Sequence, residues 1–315
     1  MMHSKNNWDE KVDVVVIGSG FAGLSSAIEA AQAGCSVLVI EKRDFHGGNS
    51  WISGGALAAV DVKMQSRLGI VDSTYLMFKD MMRAGRINDP SLVSLVCTQA
   101  FSVLQWLRQD LGIKFMDRLE QLGGHSVPRC HTVEDIQGRH IIKKMLECAA
   151  HLAIDIHLNT RMEQFYQDTD GTVIGIEMSS VTNKHANQKV KANKAVILAT
   201  GGFSNEMADD SNSKTLRTSL NDSTSETLHI AERAGAALID MEYLQMLPCA
   251  SPDEEGRGVA PVFASYVIFP YGFMVNPSTG QRFVNEWTDR KTRADAMMVL
   301  EKAAIGITDQ QGLSM

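Results

Sequence analysis

The N-terminal part of the chain alternates short apolar runs with a stretch of helical character. One run extends from Val12 to Ile17 and a second from Ser36 to Ile40, and residues 24–33 between them are typical of a helix. Strand, glycine turn, helix and strand follow one another within about thirty residues, the usual length of a βαβ unit. The pattern therefore predicts two strands of one sheet joined by a helix.

The remaining chain continues to alternate helical and extended patterns. Apolar positions near a helical period predict helix over 74–109, with Leu92, Leu95, Val96, Leu104 and Leu107 on its apolar positions, and a second helix over 138–151. Strands are predicted near 154–158, 173–178, 188–191 and 195–200, with turns at Asp170-Gly171 and Thr182-Asn183. The methionines at 77, 81 and 82 are interpreted as core filler. We expect an α/β fold in which a Rossmann-like domain carries a doubly wound parallel sheet.

A glycine-rich turn joins the first strand to the helix and reads Gly18-Ser19-Gly20-Phe21-Ala22-Gly23. Gly18 allows a tight turn, Gly20 lets the backbone approach a pyrophosphate, and Gly23 lets the helix pack close to the strand. The helix N-terminus offers N–H groups and a positive dipole end to phosphates. Glu41 follows the second strand, where a carboxylate can accept hydrogen bonds from ribose hydroxyls and would repel a 2′-phosphate. This unit predicts a dinucleotide site.

A second glycine-rich segment follows, Gly47-Gly48-Asn49-Ser50-Trp51-Ile52-Ser53-Gly54-Gly55. Glycines and small polar residues suit a loop whose backbone lies against a flat, polar ligand. A flexible surface loop is the alternative, but Trp51 and Ile52 are apolar residues that a solvated linker would not favour. The segment favours FAD over NAD.

Composition excludes several classes of function. The net charge of −7 disfavours nucleic-acid binding, which uses a basic face. The five cysteines contain no Cys-x-x-Cys pair, so we expect reduced thiols and no metal site. Cys130-His131 lacks the upstream cysteine of a haem-attachment motif. Residues 1–11 lack the apolar core of a secretory signal, and prolines and glycines interrupt the stretch 259–282, which is uncharged up to Arg282. We therefore expect a cytoplasmic protein without membrane insertion.

Several blocks together resemble the flavoprotein family of fumarate reductases and succinate dehydrogenases, with the soluble flavocytochrome c-type fumarate reductases as the most similar branch. The blocks are Glu41-Lys42, Gly47–Ser50, Gly54-Gly55, Gly124–Arg129, Leu158–Met162, Val196–Phe203 and Arg282–Glu286. They occur in family order from about residue 12 to residue 295, so the resemblance covers nearly the whole chain.

The resemblance implies an FAD-binding domain over 1–239 and the beginning of an α+β substrate-clamp domain over 240–315. The residues it implies for cofactor binding are Gly18, Gly20, Ala22, Gly23, Glu41, Lys42, Gly48, Asn49, Ser50, Gly54, Gly55, Met162, Ala199, Thr200, Gly201 and Glu226. Relatives carry Thr-Gly-Asp where this chain has Thr224-Ser225-Glu226, so the acid contact at Glu226 is a departure. No histidine matches the position of covalent flavin attachment near Ser50, and we expect non-covalent FAD.

The resemblance also implies a reaction. Reduced flavin delivers hydride from N5 to one carbon of an activated double bond, and an arginine donates a proton to its neighbour; by position this is Arg290. Without the resemblance, an arginine is more often a charge clamp or a surface ion pair. Arg293 and Lys291 are expected to be solvated.

Substrate recognition departs from the family. Leu247 stands where fumarate-reducing relatives have a carboxylate-binding histidine, and residues 262–268 contain neither the acid nor the arginine of a second substrate segment. We therefore expect that fumarate is not the substrate. The aromatic residues at 263, 266, 269, 271 and 273 suit either a larger, less charged molecule or a well-packed core.

Relatives continue beyond the point matching Met315, so we expect a fragment, a truncated product or half of a split enzyme. Two alternatives to the reductase stay open: a ketosteroid dehydrogenase-like flavoenzyme and a non-catalytic FAD-binding protein. The expected partners are a small-molecule substrate and an electron-donor protein or free reduced carrier. The direction of reaction and the oligomeric state are not predicted.

Overall fold

The computed structural model describes residues 7–182, 187–205, 219–243, 245–247, 272–300 and 303–307. These residues form two compact units. The first unit takes its described residues from Met1–Ser53, Gln137–Thr215 and Ser219–Met241, and the second from Gly54–Ile136 and Glu242–Met315. The boundary at Met241 lies beside the division expected at residue 240, but residues 54–136 group with the later segment. The functional division into 1–239 and 240–315 stays a prediction.

Helices and strands follow one another along the described residues. In chain order they are β1 (Glu10–Ile17), α1 (Phe21–Gln32), β2 (Val37–Ile40), α2 (Gly48–Trp51), β3 (Ala56–Ala58), α3 (Val62–Arg67), α4 (Thr74–Gly85), α5 (Pro90–Gln109), β4 (Cys130–Thr132), α6 (Gly138–His151), β5 (Asp155–His157), β6 (Thr160–Gln167), β7 (Val173–Ser180), β8 (Asn187–Leu198), α7 (Glu226–Arg233), β9 (Gly272–Asn276), β10 (Gln281–Arg282), α8 (Arg290–Met298) and β11 (Ala304–Ile307).

A six-stranded sheet organises the first unit, in the order β5-β2-β1-β8-β7-β6. β1 runs parallel to β2 and to β8, and β2 runs parallel to β5. This confirms the α/β fold with a parallel-rich sheet. β7 is antiparallel to both β6 and β8. The turn at Asp168–Thr172, which joins β6 to β7, is too short for a parallel crossover.

Apolar strands give this sheet its core. Val15, Val16, Leu38 and Val39 have no exposed surface. Burying one such side chain stabilises the fold by about 1.5–3 kcal/mol. On helix α1 the buried side chains Leu24, Ala27 and Ile28 follow the helical period. The apolar runs of the sequence are thus the interior strands of the sheet.

Several elements differ from their predictions for local physical reasons. The helix predicted over 74–109 is two helices, because Pro90 begins α5 and the carboxylate of Asp89 accepts hydrogen bonds from the N–H groups of Ser91 and Leu92. The strands predicted near 188–191 and 195–200 are one strand, β8. The predicted turn at Thr182-Asn183 lies partly outside the described residues.

Helices α4 and α5 pack together in the second unit around Met77, Cys97, Ala100 and Leu104. The core role predicted for Met77 is confirmed. Leu92, Leu95 and Val96 of α5 are exposed, although the helical period had placed them with the buried Leu104 and Leu107.

By length and composition α5 is the one helix among the described residues that could cross a membrane, and 22% of that stretch is buried. A single helix of this kind is weak evidence for a span. The absence of membrane insertion therefore stays a prediction.

Candidate cofactor and active site

A cavity of about 470 Å³ opens in the first unit, at the carboxyl ends of β1, β2 and β8. Ligands of open α/β sheets bind at this edge of the strands. The cavity wall contains nearly every residue predicted for the cofactor: Gly18, Gly20, Ala22, Glu41, Lys42, Gly48, Asn49, Ser50, Met162, Ala199, Thr200, Gly201 and Glu226.

Three of the predicted residues do not line this cavity. Gly23 lies behind the glycine turn, where its role is packing. Gly54 and Gly55 belong to the second unit, so the contact expected from the end of the second glycine segment stays a prediction.

The first glycine turn is closely packed against its neighbours. Gly18 has φ of 105°, and a Cβ there would lie 2.4 Å from the carbonyl oxygen of Ala199. A Cβ on Gly23 would lie 1.8 Å from the carbonyl oxygen of Gly18. Helix α1 starts at this turn with no acidic residue in its first turn, so its positive end can accept an anionic ligand.

Glu41 is tied to the same turn through its carboxylate. One oxygen, Oε2, accepts hydrogen bonds from the backbone N–H of Ser19 at 3.1 Å and from its hydroxyl at 2.6 Å. The other, Oε1, accepts from the N–H of Arg43 at 3.0 Å. A carboxylate has about four lone-pair sites, so capacity remains for a ribose hydroxyl. Glu41 therefore both fixes the turn and can bind a ligand.

The second glycine segment is held by side-chain hydrogen bonds. Gly47 has φ of 96° and is the N-cap of the short helix α2. Asn49 donates from Nδ2 to the hydroxyl of Ser223 at 2.8 Å and accepts at Oδ1 from the N–H of Leu220 at 2.9 Å. Ser50 Oγ accepts from the N–H of Phe21 at 3.1 Å. These bonds fix the segment beside the cavity, as an ordered loop and not a solvated linker.

Charged residues surround one end of the cavity. Lys42 Nζ donates to Thr224 Oγ1 at 2.7 Å and lies 3.8 Å from the carboxylate of Glu226. Arg43 forms an ion pair with Asp222. Glu226 lines the cavity at the start of a helix, α7, that the sequence had not predicted, and its contact with the cofactor stays a prediction.

Arg290 is the first residue of α8 in the second unit. Its Nη1 donates to Gln245 Oε1 at 3.1 Å, and the preceding Asp289 caps the helix by accepting from the N–H of Thr292. Lys291 is exposed and pairs with Asp295, as expected. Arg293 was expected to be solvated, which is wrong: only 4% of it is exposed. It lies one helical turn after Arg290, on the inner side of α8.

A buried ionic cluster, formed by Arg129, Asp72 and Asp80, was not predicted. Arg129 is fully buried, and the two carboxylates are exposed by 1% and 2%. Arg129 donates to both oxygens of Asp72 at 2.9 Å and to Asp80 Oδ2 at 2.6 Å. Burial alone would raise the pKa of each carboxyl, but hydrogen bonds and the nearby guanidinium hold both below the usual range.

Among the described residues no group of three or more His, Cys, Asp or Glu side chains is placed to hold a metal ion.

The comparison with protein families decides the identity of the cavity. The model of the FAD binding domain matches residues 13–311. The chain belongs to this FAD-binding family. Its residues fit the adenosine diphosphate half of FAD, because the helix start without acidic residues can accept phosphates and the carboxylate of Glu41 has capacity left for a ribose hydroxyl.

Individual relatives of this FAD-binding protein are reductases by name. The acrylate reductase flavoprotein subunit of Shewanella woodyi is 38% identical over 302 residues, covering 92% of this chain and 59% of the relative. The urocanate reductase of Eggerthella lenta is 37% identical over 245 residues, covering 75% of this chain and 40% of the relative. The chain thus spans about half the length of the curated relatives it matches.

Solved structures share the fold. The open conformation of a flavocytochrome c3 fumarate reductase superposes with a TM-score of 0.76 at 30% identity, over 93% of this chain and 51% of that one. The 3-ketosteroid-delta4-(5alpha)-dehydrogenase of Rhodococcus jostii RHA1 gives a TM-score of 0.74 at 24% identity, over 94% of this chain and 65% of that one. At this identity the second likeness concerns the fold alone.

Two residues that hold the wall of the FAD cavity in place were missed from the sequence. Ser19 is fully buried, and its hydroxyl donates to Glu41 and accepts from the N–H of Gly47. Gly138 begins α6 where a Cβ would lie 2.2 Å from the carbonyl oxygen of Ser50. Ser19 was visible inside the glycine motif, but nothing in the chain linked Gly138 to a segment about 90 residues earlier.

Proposed function

We propose that the protein is an FAD-dependent oxidoreductase that reduces, or forms, a carbon–carbon double bond next to an electron-withdrawing group. The observation that carries the proposal is the cavity at the carboxyl ends of β1, β2 and β8, whose wall contains most of the residues predicted for FAD. Acrylate, urocanate and fumarate reductases among the relatives support this reaction class.

FAD, when bound, supplies or accepts a hydride at its N5 atom. The protein's own contribution is to bind the cofactor through the glycine turn and Glu41 and to provide a proton for the neighbouring carbon. We assign that proton to Arg290. Its hydrogen bond to Gln245 fixes the direction of one guanidinium nitrogen, and its place at the start of α8 fixes its backbone.

The proposed substrate class follows from Leu247, which stands where fumarate-reducing relatives have a carboxylate-binding histidine. Leu247 cannot hydrogen-bond the second carboxylate of fumarate, and a buried carboxylate without a partner costs several kcal/mol. An unsaturated monocarboxylic acid has one carboxylate where fumarate has two, so it does not need the hydrogen-bond donor that Leu247 lacks. The names of the acrylate and urocanate reductases are consistent with this class. The second substrate segment, 262–268, lies outside the described residues.

Anaerobic reoxidation of the reduced flavin tests the proposal. Purified, FAD-loaded protein is mixed with acrylate, urocanate, fumarate and a 3-ketosteroid with a ring double bond, and flavin absorbance is followed. We expect reoxidation by a monocarboxylic enoate and not by fumarate. Reoxidation by fumarate at a comparable rate would contradict the substrate class, and no reoxidation by any acceptor would favour a non-catalytic FAD-binding protein.

Replacing Arg290 separates the two enzymatic alternatives. Arg290→Gln removes the proton donor, so we expect a rate lower by about 10²–10⁴-fold with FAD retained. Lys291→Gln is the matched control, since Lys291 is a neighbouring exposed cation that pairs only with Asp295 among the described residues. An Arg290 variant that keeps full activity would favour the ketosteroid dehydrogenase-like alternative.

The source of electrons is also a proposal. Relatives include a flavoprotein subunit and a fumarate reductase named for its cytochrome, which supports an electron-donor protein as partner. A cytoplasmic location stays an expectation from the sequence.

A further inference from the structure

His125 lies on the loop that the buried ionic cluster holds in place. Arg129 Nη1 donates to Nδ1 of His125 at 3.0 Å, and the adjacent Ser126 donates both its N–H and its hydroxyl to Asp80 Oδ2, at 2.9 and 2.8 Å. His125 itself is only partly buried. The imidazole is therefore fixed on one side by a fully buried arginine and reaches the surface of its unit on the other.

The contact with Arg129 selects one tautomer of His125. A guanidinium has donors only, so Nδ1 must accept and the ring proton must be on Nε2. Burial lowers the pKa of His125, and the charge of Arg129 lowers it further, while Asp80 and Asp72 act in the opposite direction. His125 is thus a neutral ring that presents a fixed Nε2–H donor.

The ion pairs beside this donor carry no net charge. Arg129 and Arg83 contribute two positive charges and Asp72 and Asp80 two negative ones, so the linked ion pairs sum to zero. Both carboxylates are already occupied by hydrogen bonds from the cluster. A carboxylate or carbonyl oxygen can therefore approach Nε2 without facing a free negative charge of the cluster.

The same loop contacts the segment that carries Arg290. The N–H of Gly124 donates to the carbonyl of Trp287 at 3.0 Å. A Cβ on Gly124 would lie 3.5 Å from the Cα of Asp289, the residue that caps α8 immediately before Arg290. His125 is thus one residue from a direct contact with the start of α8.

We propose that His125 is a specificity-determining residue whose Nε2–H hydrogen-bonds an oxygen of the electron-withdrawing group of the substrate. The inference rests on the proposed function. A neutral donor with one fixed proton suits a substrate with a single carboxylate or carbonyl at this end.

Three variants separate a donor to substrate from a structural role. His125→Gln places an amide N–H near the former Nε2, His125→Asn places an amide oxygen near the former Nδ1, and His125→Ala removes both. We expect KM for the enoate to rise about 10- to 100-fold in His125→Ala and His125→Asn, with KM largely restored in His125→Gln and kcat changed much less. His151→Ala, at an exposed histidine of α6, should leave KM unchanged.

Binding of the saturated acid, followed through the flavin absorbance, gives a readout independent of turnover. Weaker binding in His125→Ala, restored in His125→Gln, supports the inference. If the wild type binds the acid but reduces no enoate, the proposed function is overturned and the inference about His125 is not. Restoration by His125→Asn instead, together with recovered thermal stability, would show that His125 serves Arg129 alone and overturn the inference. Unchanged KM and unchanged binding in His125→Ala would overturn it as well.

Discussion

Replacing Gly23 by alanine isolates the packing on which the FAD turn depends. In an ordinary helix interior, alanine is favoured over glycine by about 1 kcal/mol. In α1 the new Cβ would lie 1.8 Å from the carbonyl oxygen of Gly18 and 2.9 Å from its carbonyl carbon. Real Cβ contacts are essentially never shorter than 3.0 Å, so the two backbones must separate by at least 3.0 − 1.8 = 1.2 Å.

This separation has two measurable consequences. Leu24 and Ile28 of α1 are fully buried, and moving the helix would open their packing against the sheet. We expect a loss of about 1–3 kcal/mol in the free energy of unfolding, from urea titration of the FAD-free protein. Because Gly18 lines the cavity, we also expect FAD to bind at least about tenfold more weakly, which corresponds to 1.4 kcal/mol.

Gly202→Ala is the matched control. No protein atom lies within 4 Å of a Cβ at Gly202 and its φ is not in the left-handed region, so this variant is the control for stability. Gly202 lines the cavity, so the FAD affinity of Gly23→Ala, titrated by the quenching of flavin fluorescence, is compared with that of the wild type. The packing role of Gly23 is refuted if Gly23→Ala matches Gly202→Ala in unfolding midpoint and the wild type in FAD affinity.

Two further predictions concern the buried ionic cluster. Arg129→Met leaves buried Asp72 without its cation and Asp80 with only the exposed Arg83, so it should lower the free energy of unfolding by about 3–5 kcal/mol in urea titrations. Arg118→Met, which removes an exposed arginine paired with Glu120, should lower it by less than about 1 kcal/mol; equal losses would contradict the buried role. Because the folded pKa of Asp80 lies below its unfolded value of about 3.9, its contribution is complete above that pH and disappears as pH falls through the folded pKa. The difference in urea midpoint between the wild type and Asp80→Asn should therefore be nearly constant between pH 7 and 5 and shrink below about pH 4; a difference that stays unchanged into acid would contradict it.

The elements that the sequence predicted well are those whose signals are local. The βαβ unit needs only two apolar runs, a glycine turn and an acid within one short segment, and α6 needs only a helical period between 138 and 151. The helix predicted over 74–109 failed at Pro90, a local breaker that the long apolar period obscured.

The parts that could not be predicted join residues far apart in the chain. Arg129 meets Asp72 and Asp80 across 57 and 49 positions, and neither partner has a pattern that distinguishes it from a surface carboxylate. The burial of Arg293 could not be predicted either, because it depends on the elements that surround α8 and not on the residues next to it in the chain. Asn49 was placed at the cofactor from the motif, but its bonds to Leu220 and Ser223 needed the fold.

The carboxylate of Glu41 is held by three donors of the protein before any ligand is considered. Because this side chain is already fixed, little further conformational entropy is lost when FAD binds. We therefore expect FAD to bind and dissociate without a change in the conformation of the N-terminal sheet.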